Sequence, residues 1–211
     1  LEMKRSVYHL LINGEQVEGA TGETFKTYNP ATGEVIAEVA KASKEDADRA
    51  VQAARDAFDH GKWKMWPVGR RAQILNKIAS IMRSRFNEIV ELEILDTGKS
   101  LAAAQGQVTQ AIEDFEFYAG AIVGHRGVVN NMPGQFHNYT EKEAVGVCAQ
   151  IIPWNYPLMM AAWKVAPAIA VGCSVVVKPA TLTPLTAIIL GEICLEAGVP
   201  AGVVNVIPGS G

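Results

Sequence analysis

Along residues 10 to 40, apolar positions come in short runs closed by turn residues: Leu10-Leu11-Ile12 before Asn13-Gly14, Thr24-Phe25 ahead of Asn29-Pro30, and Val35-Ile36-Ala37 after Thr32-Gly33. Runs of this length bounded by Asn-Gly, Asn-Pro and Thr-Gly predict strands joined by hairpins and turns. The period then lengthens. Ser43 and Asp46 form a capping-box pattern, and Ala47, Ala50, Val51, Ala54, Ala57 and Phe58 recur at helical spacing, so an amphipathic helix is predicted over residues 44–59. Pro67 opens a second helix, whose stripe of Leu75, Ile78, Ala79, Met82, Phe86, Ile89 and Val90 continues to Leu95 before Thr97-Gly98 stops it. A third helical segment covers residues 101–123 and ends at Gly124. Residues 125–142, with Gly127, Pro133 and Gly134, read as loop and strand, a linker or arm.

From Glu143 onward the texture changes to three β-branched apolar runs, 146–152, 173–178 and 203–207. Between them lie two helical segments, one from Pro157 to Val171 and one capped by Thr183, opened by Pro184 and closed by Gly198. Near-continuous apolar strands linked by helical crossovers predict a parallel sheet covered on both faces: an α/β, doubly wound, Rossmann-like nucleotide-binding architecture. The chain therefore divides into hairpins and helices (1–124), a linker and arm (125–142), and an incomplete β-α-β-α-β core (143–211).

Composition narrows the function classes. With 22 acidic against 19 basic residues and no Lys/Arg-rich run, nucleic acid is not expected as a partner. No apolar run approaches the roughly 20 residues of a membrane span, so no membrane association and a cytoplasmic location are expected. Leu1-Glu2 ahead of Met3 reads as a cloning remnant. Cys148, Cys173 and Cys194 lie among apolar neighbours without a CxxC pair and are expected as buried small hydrophobes. His9, His60, His125 and His137 lack metal-ligand spacing and are expected on surfaces, so no metal site is predicted.

In an open parallel sheet the ligand lies beyond the carboxyl ends of the strands. Those ends here are Ile151-Ile152-Pro153-Trp154-Asn155, Lys178-Pro179-Ala180-Thr181 and Pro208-Gly209-Ser210-Gly211. No G-x-G-x-x-G follows the first strand, which disfavours an ordinary dinucleotide fingerprint. Taken alone, these residues also have plain readings. Asn155 could cap the helix at Pro157, Lys178 could snorkel from a strand end, Lys164 could be a surface lysine, and Tyr156, Met160 and Trp163 could be a core stripe. Asp96, in LDTGK, reads as a helix-terminal carboxylate in a solvated loop.

Taken in order, INGE, YNPATGEVI, LDTGK, GVCAQIIPWNYP, VVVKPAT and AGVPAGVVNVIPGSG resemble the N-terminal part of the aldehyde dehydrogenase superfamily over essentially the whole chain. That resemblance implies oxidation of an aldehyde to a carboxylic acid by a cysteine thiolate, with hydride transfer to NAD or NADP. It assigns Asn155 to the oxyanion hole, where a carboxamide is a neutral, pre-positioned donor. It gives Lys164 a proton-relay role and places Ile151, Ile152, Pro153, Trp154, Lys178, Pro179, Ala180, Thr181 and Gly211 around the cofactor. Gly209 falls in the same glycine turn. Tyr156, Met160 and Trp163 would line the aldehyde tunnel. Thr181 stands where many NAD-preferring relatives carry glutamate, so NADP or dual use is expected. The arm around Gln135 to Thr140 resembles a segment used in oligomerisation, implying a homo-dimer or homo-tetramer. The family's base glutamate and nucleophilic cysteine follow later in relatives, and the sheet would end with a raw edge after its third strand. Two readings follow: the N-terminal part of a dehydrogenase inactive by itself, or a non-catalytic nucleotide-binding or subunit-pairing module.

Overall fold

The computed structural model describes residues 5–211; the Leu1-Glu2 pair lies outside them. The described strands are β1 (Val7–Tyr8), β2 (Leu10–Ile12), β3 (Glu15–Val17), β4 (Thr24–Tyr28), β5 (Val35–Ala40), β6 (Val129–Asn130), β7 (Asn138–Tyr139), β8 (Val147–Ile151), β9 (Ser174–Lys178) and β10 (Val204–Val206). The helices are α1 (Lys44–Asp59), α2 (Val68–Ser84), α3 (Phe86–Thr97), α4 (Leu101–Val123), α5 (Pro157–Ala170) and α6 (Leu185–Ala197).

Asn13 and Gly14 both take positive φ, 53° and 79°, the backbone a type I′ hairpin needs, and they fold β3 back onto β2. Ser43 and Asp46 close the capping box at the start of α1. The Asp46 carboxylate also accepts from the Ala20 N–H, at 3.0 and 3.1 Å, and so ties the preceding loop to the helix. Burial alone would raise its carboxyl, but the hydrogen bonds from Ser43 and Ala20 outweigh that and hold it below the ordinary value.

The central sheet runs β3-β2-β10-β9-β8. Strands β8, β9 and β10 are parallel, while β2 pairs antiparallel with both β10 and β3. Side chains alternate across it. Val175, Val177, Val204 and Val206 face the larger core with α2, α4, α5 and α6, whereas Val176, Leu10 and Ile12 face Ala50 and Ala54 of α1. Both faces are covered, which is why β8, β9 and β10 read as near-continuous apolar runs. Gly191 lets α6 lie close on this sheet: a Cβ there would come within 2.7 Å of Val206 Cγ2.

Three expectations need correction. The second predicted helix is two, because Arg85 (φ −103°, ψ 17°) leaves helical geometry between α2 and α3. A one-residue break leaves the apolar stripe in phase from Met82 to Phe86, so the pattern conceals it. Thr183 does not cap α6. Its hydroxyl donates to Trp154 O at 3.0 Å, and the Asp96 carboxylate takes the Leu185 N–H at 3.0 Å. The third strand, β10, is not a raw edge either, because all three residues of β2 are buried beside it; β8 and β3 are the edge strands. Asn205, fully buried in β10, fastens that junction. It accepts from the Asn13 N–H at 2.9 Å and donates to Gly202 O at 2.7 Å and Val175 O at 3.2 Å.

A second sheet, β1-β5-β4, lies beside the core, and β6 pairs with β7 in the predicted arm. Arm residues Val129, Phe136 and Tyr139 are exposed at 80%, 75% and 68%.

Candidate functional site

The carboxyl ends of β8, β9 and β10 lie side by side, and hydrogen bonds between their loops hold them together. Ile152 N–H donates to Lys178 O at 3.0 Å, Thr183 Oγ1 to Trp154 O at 3.0 Å, and Thr181 Oγ1 to Gly209 O at 2.7 Å. Parallel register dictates this gathering: Ile151 lies opposite Lys178, and Val177 opposite Val206. Ile152 and Pro179 are buried, Pro153 and Ala180 half-buried, and Ile151, Trp154, Thr181 and Gly211 exposed.

Asn155 sits in the turn between β8 and α5, exposed, and its carboxamide makes no hydrogen bond to the described residues. It does not cap α5: the N-cap residue is Tyr156, and no side chain caps that end. The carboxamide is therefore unused by the fold, on a turn fixed at one side by the Thr183 hydroxyl and at the other by Pro157. Lys164, on α5, donates from Nζ to Ile151 O, which closes the end of the edge strand beneath this turn. From the same helix Lys164 O accepts Gln150 Nε2 at 2.7 Å, so α5 and β8 are joined twice.

Lys178 is half-buried, and desolvation lowers its ammonium pKa below the ordinary value. Among the described residues its one hydrogen bond is a long one, to Pro179 O at 3.4 Å. An ammonium with three donors and so little to bond is suited to an anionic or hydroxyl-rich ligand. Thr181 offers less than the sequence implied, because its hydroxyl proton is committed to Gly209 O. Gly209 also approaches its own chain: a Cβ would stand 3.1 Å from Ala42 O, whereas a Cβ at Gly211 would meet nothing within 4 Å.

Tyr156, Met160 and Trp163 form one stripe leading away from Asn155 along α5, exposed at its two ends. The Lys99 ammonium stands 4.8 Å from the Tyr156 ring centre and 3.6 Å from the buried Glu93 carboxylate. Trp163 borders an open cleft of about 580 Å³ with Gln110, Glu113, Asp114, Phe117 and Tyr118 of α4. These α4 residues escaped the sequence reading. The available signal was an acid, Asp114, next to the buried stripe of Ala111, Ile112 and Phe115.

Asp96 is not in a solvated loop. It is 2% exposed, between Thr27, whose hydroxyl donates to it at 2.9 Å, and the first turn of α6. Burial outweighs both hydrogen bonds and pushes its carboxyl up to about 7. His9 also departs from expectation: it is half-buried with Nδ1 enclosed and without a hydrogen bond, while the other three histidines are exposed. Cys173 and Cys194 are buried and Cys148 half-buried. Burial, with Cys173 beside it, pushes the Cys148 thiol up to about 11, and burial alone pushes Cys194 to about 12.

Residues 17–211 match the aldehyde dehydrogenase family. A putative aldehyde dehydrogenase, DhaS, of Bacillus subtilis is 45% identical over 203 residues, which is 96% of this chain and 41% of that protein. The human mitochondrial aldehyde dehydrogenase is 43% identical over 204 residues, 96% of this chain and 40% of its own length. The NAD+ complex of the Bacillus cereus aldehyde dehydrogenase superposes with a TM-score of 0.95 at 42% identity, covering 98% of this chain and 42% of that one. The chain thus spans about two fifths of the length of these relatives. With the family's model matched over residues 17–211 and its fold superposing over nearly the whole chain, the chain belongs to the aldehyde dehydrogenase family.

Proposed function

We propose that this chain supplies the cofactor surface and the oxyanion donor of an NAD(P)-dependent dehydrogenase that oxidises an aldehyde to a carboxylic acid. The observation that carries this reading is the Asn155 carboxamide, unbonded to the described residues and exposed at the carboxyl end of the sheet, with an under-bonded Lys178 at the end of the neighbouring strand. A neutral N–H donor held by the fold before the reaction begins stabilises a developing oxyanion without reorganisation. Lys164, held against Ile151 O, is a candidate to pass a proton at the rim of the same site. Tyr156, Met160 and Trp163 form the wall along which the aldehyde enters.

The coenzyme, when bound, accepts the hydride. Lys178 would hold its ribose hydroxyls or a 2′-phosphate, and Pro179, Ala180, Thr181 and Gly211 would border it, with Ile151, Ile152, Pro153 and Trp154 on the nicotinamide side. Thr181 carries no charge to repel a 2′-phosphate, which supports NADP or dual use, and the NAD+ complex of the Bacillus cereus relative supports NAD as an accepted form. Thr181→Glu, placing a carboxylate that accepts from a 2′-hydroxyl and opposes a 2′-phosphate, is expected to shift the ratio of NADP to NAD affinity down by tenfold or more. Calorimetric titration of both coenzymes reads the change, and an unaltered ratio removes Thr181 from the selectivity determinants.

The 211-residue chain alone is expected not to turn over. Burial pushes the Cys148 and Cys194 thiols up, away from the thiolate an activated nucleophile needs. The exposed apolar side chains of the arm at 125–142, Val129, Phe136 and Tyr139, support assembly of the whole enzyme as a homo-dimer or homo-tetramer. The decisive test of the function is formation of reduced coenzyme, followed by absorbance, when the complete protein is mixed with NAD or NADP and a panel of aldehydes. Failure with every pairing overturns the reading.

A further inference from the structure

The bend between α3 and α4, Gly98-Lys99-Ser100, sends a lysine into the interior. Gly98 takes the left-handed backbone (φ 72°) that ends α3, and the Ser100 hydroxyl caps α4 by accepting the Ala103 N–H at 3.4 Å. Between those fixed ends the Lys99 side chain turns inward and is 19% exposed. Its ammonium donates to Gln107 Oε1 of α4 at 2.6 Å, lies 3.6 Å from Glu93 Oε1 of α3, and stands 4.8 Å from the centre of the Tyr156 ring. Glu93 is fully buried, and neither of its oxygens meets a donor in hydrogen-bonding geometry; the Thr186 hydroxyl lies near but misaligned. Lys99 is therefore the counter-charge on which that carboxylate depends. Separating such a pair leaves a buried charge uncompensated, so the ammonium has little freedom to leave.

Two helices thus fix Lys99, and the Tyr156 ring is its contact with a third, α5. Tyr156 is the N-cap residue of α5, with φ −139° and ψ 60°, and no side chain caps that end. The Thr183 hydroxyl holds the turn at Trp154 O, and Tyr156 O accepts the Met160 N–H at 2.9 Å. Asn155 lies between these two anchors. The peptide joining it to Tyr156 turns with the Cα–Cβ bond of Tyr156, so holding the ring also limits the Asn155 backbone. The ring is 40% exposed, and the ammonium at its face supplies a restraint that burial does not.

We infer that Lys99 is a positioning residue: anchored to α3 and α4 through Glu93 and Gln107, it holds the Tyr156 ring and, through it, the Asn155 carboxamide in the orientation that meets the developing oxyanion. This rests on the reading that Asn155 is the oxyanion donor. Lys99 acts through the ring and not on the reacting atoms. A donor that must be aimed afresh in each turnover loses its pre-organisation, which lowers kcat and leaves coenzyme binding alone.

The test is kinetic, on the complete enzyme with aldehyde and coenzyme both saturating. Lys99→Met keeps the length of the side chain and removes the charge; kcat is expected to fall about tenfold, with the Kd for coenzyme unchanged within about twofold. Lys99→Arg returns a cation to the ring face and should keep kcat within about threefold of the unaltered enzyme. Because Lys99→Met strands the Glu93 carboxylate, the same comparison in a Glu93→Gln background gives the answer should the single variant misfold. Tyr156→Leu removes the ring face. Adding Lys99→Met to it should cost no more than about twofold further, since both changes break one link. Unchanged kcat in Lys99→Met, equal losses in the Met and Arg variants, or effects that multiply in the double variant overturn the proposal. Asn155→Asp separates it from the reading beneath it: a large loss there with none at Lys99 sinks the positioning role alone. If the unaltered enzyme oxidises no aldehyde, the dehydrogenase reading fails and hydrogen exchange over residues 151–160 decides. Faster exchange confined to that stretch in Lys99→Met supports the tie, and unchanged exchange sinks it.

Discussion

Replacing Asn155 by aspartate in the complete enzyme is expected to lower kcat by about 10²- to 10³-fold, the usual loss when one oxyanion-hole donor is removed. Size and shape are almost conserved, so the effect isolates chemistry: an N–H donor becomes an acceptor, and a negative charge faces the position where another develops. A merely structural role would give a different pattern. Asn155 is exposed, caps nothing and bonds to none of the described residues, so the substitution should leave stability within about 0.5 kcal/mol. Coenzyme affinity should also be preserved, because Lys178, on another strand, is the charged group proposed to hold it. Steady-state kinetics with thermal unfolding as a control separates these cases. Unchanged kcat would remove Asn155 from the oxyanion site, and equal falls in stability and rate would make it a scaffold residue.

The second large effect is expected at Asp96. Asp96→Ala leaves the Thr27 hydroxyl and the Leu185 N–H without their acceptor in a buried place, at about 1–3 kcal/mol each, so a loss of roughly 2–5 kcal/mol is expected. The same residue makes stability depend on pH. Burial raises its carboxyl from the ordinary 3.8 to about 7, so between those values the folded state holds a proton that the unfolded state has released. Rising pH therefore favours unfolding: the contribution is fully present below the unfolded value and lost as pH passes through about 7. At 1.36 kcal/mol per unit it amounts to at most about 4 kcal/mol. Glu93, pushed up by the same burial and opposed by Lys99, slopes the same way. Urea unfolding at a series of pH values, for the protein and for Asp96→Asn, should show a flatter dependence in the variant. Parallel curves would mean that Asp96 is ionised in the folded state and that its two hydrogen bonds, not burial, decide its charge.

Local periodicity made much of the architecture legible. The capping box at Ser43 and Asp46, the Asn13-Gly14 turn and the helix ends at Gly98, Gly124 and Gly198 are short-range signals, set within a few residues, and the structure places each where the pattern put it. What escaped was decided by distant partners. Thr183 reads as a cap because a threonine before a proline usually is one, but Asp96, 89 positions away, reaches the Leu185 N–H instead. Val203 to Ile207 read as an edge because nothing in those residues says that Leu11 will pair with Val206. The site divides in the same way. Asn155, Lys178 and Thr181 announce themselves by following apolar strands, whereas Asp114 looks like an ordinary polar residue of a long helix until α5 packs beside it. The resemblance placed Thr181 around the cofactor; only the folded loops reveal that Gly209 O already takes its hydroxyl proton.

The pairing of β2 with β10 has a consequence for how the protein is made. Asn13 and Asn205 are joined by a hydrogen bond although they are 192 positions apart. At about 5–20 residues per second of synthesis, the hairpin around Asn13 leaves the ribosome roughly 10–40 s before its partner strand exists. Through that interval Leu10, Leu11 and Ile12, all buried in the finished sheet, present an apolar edge with unmet backbone donors and acceptors. The hairpin around Asn13 is therefore a segment that a chaperone could shield during translation, and β2 gains its second neighbour only once Val204–Val206 have emerged.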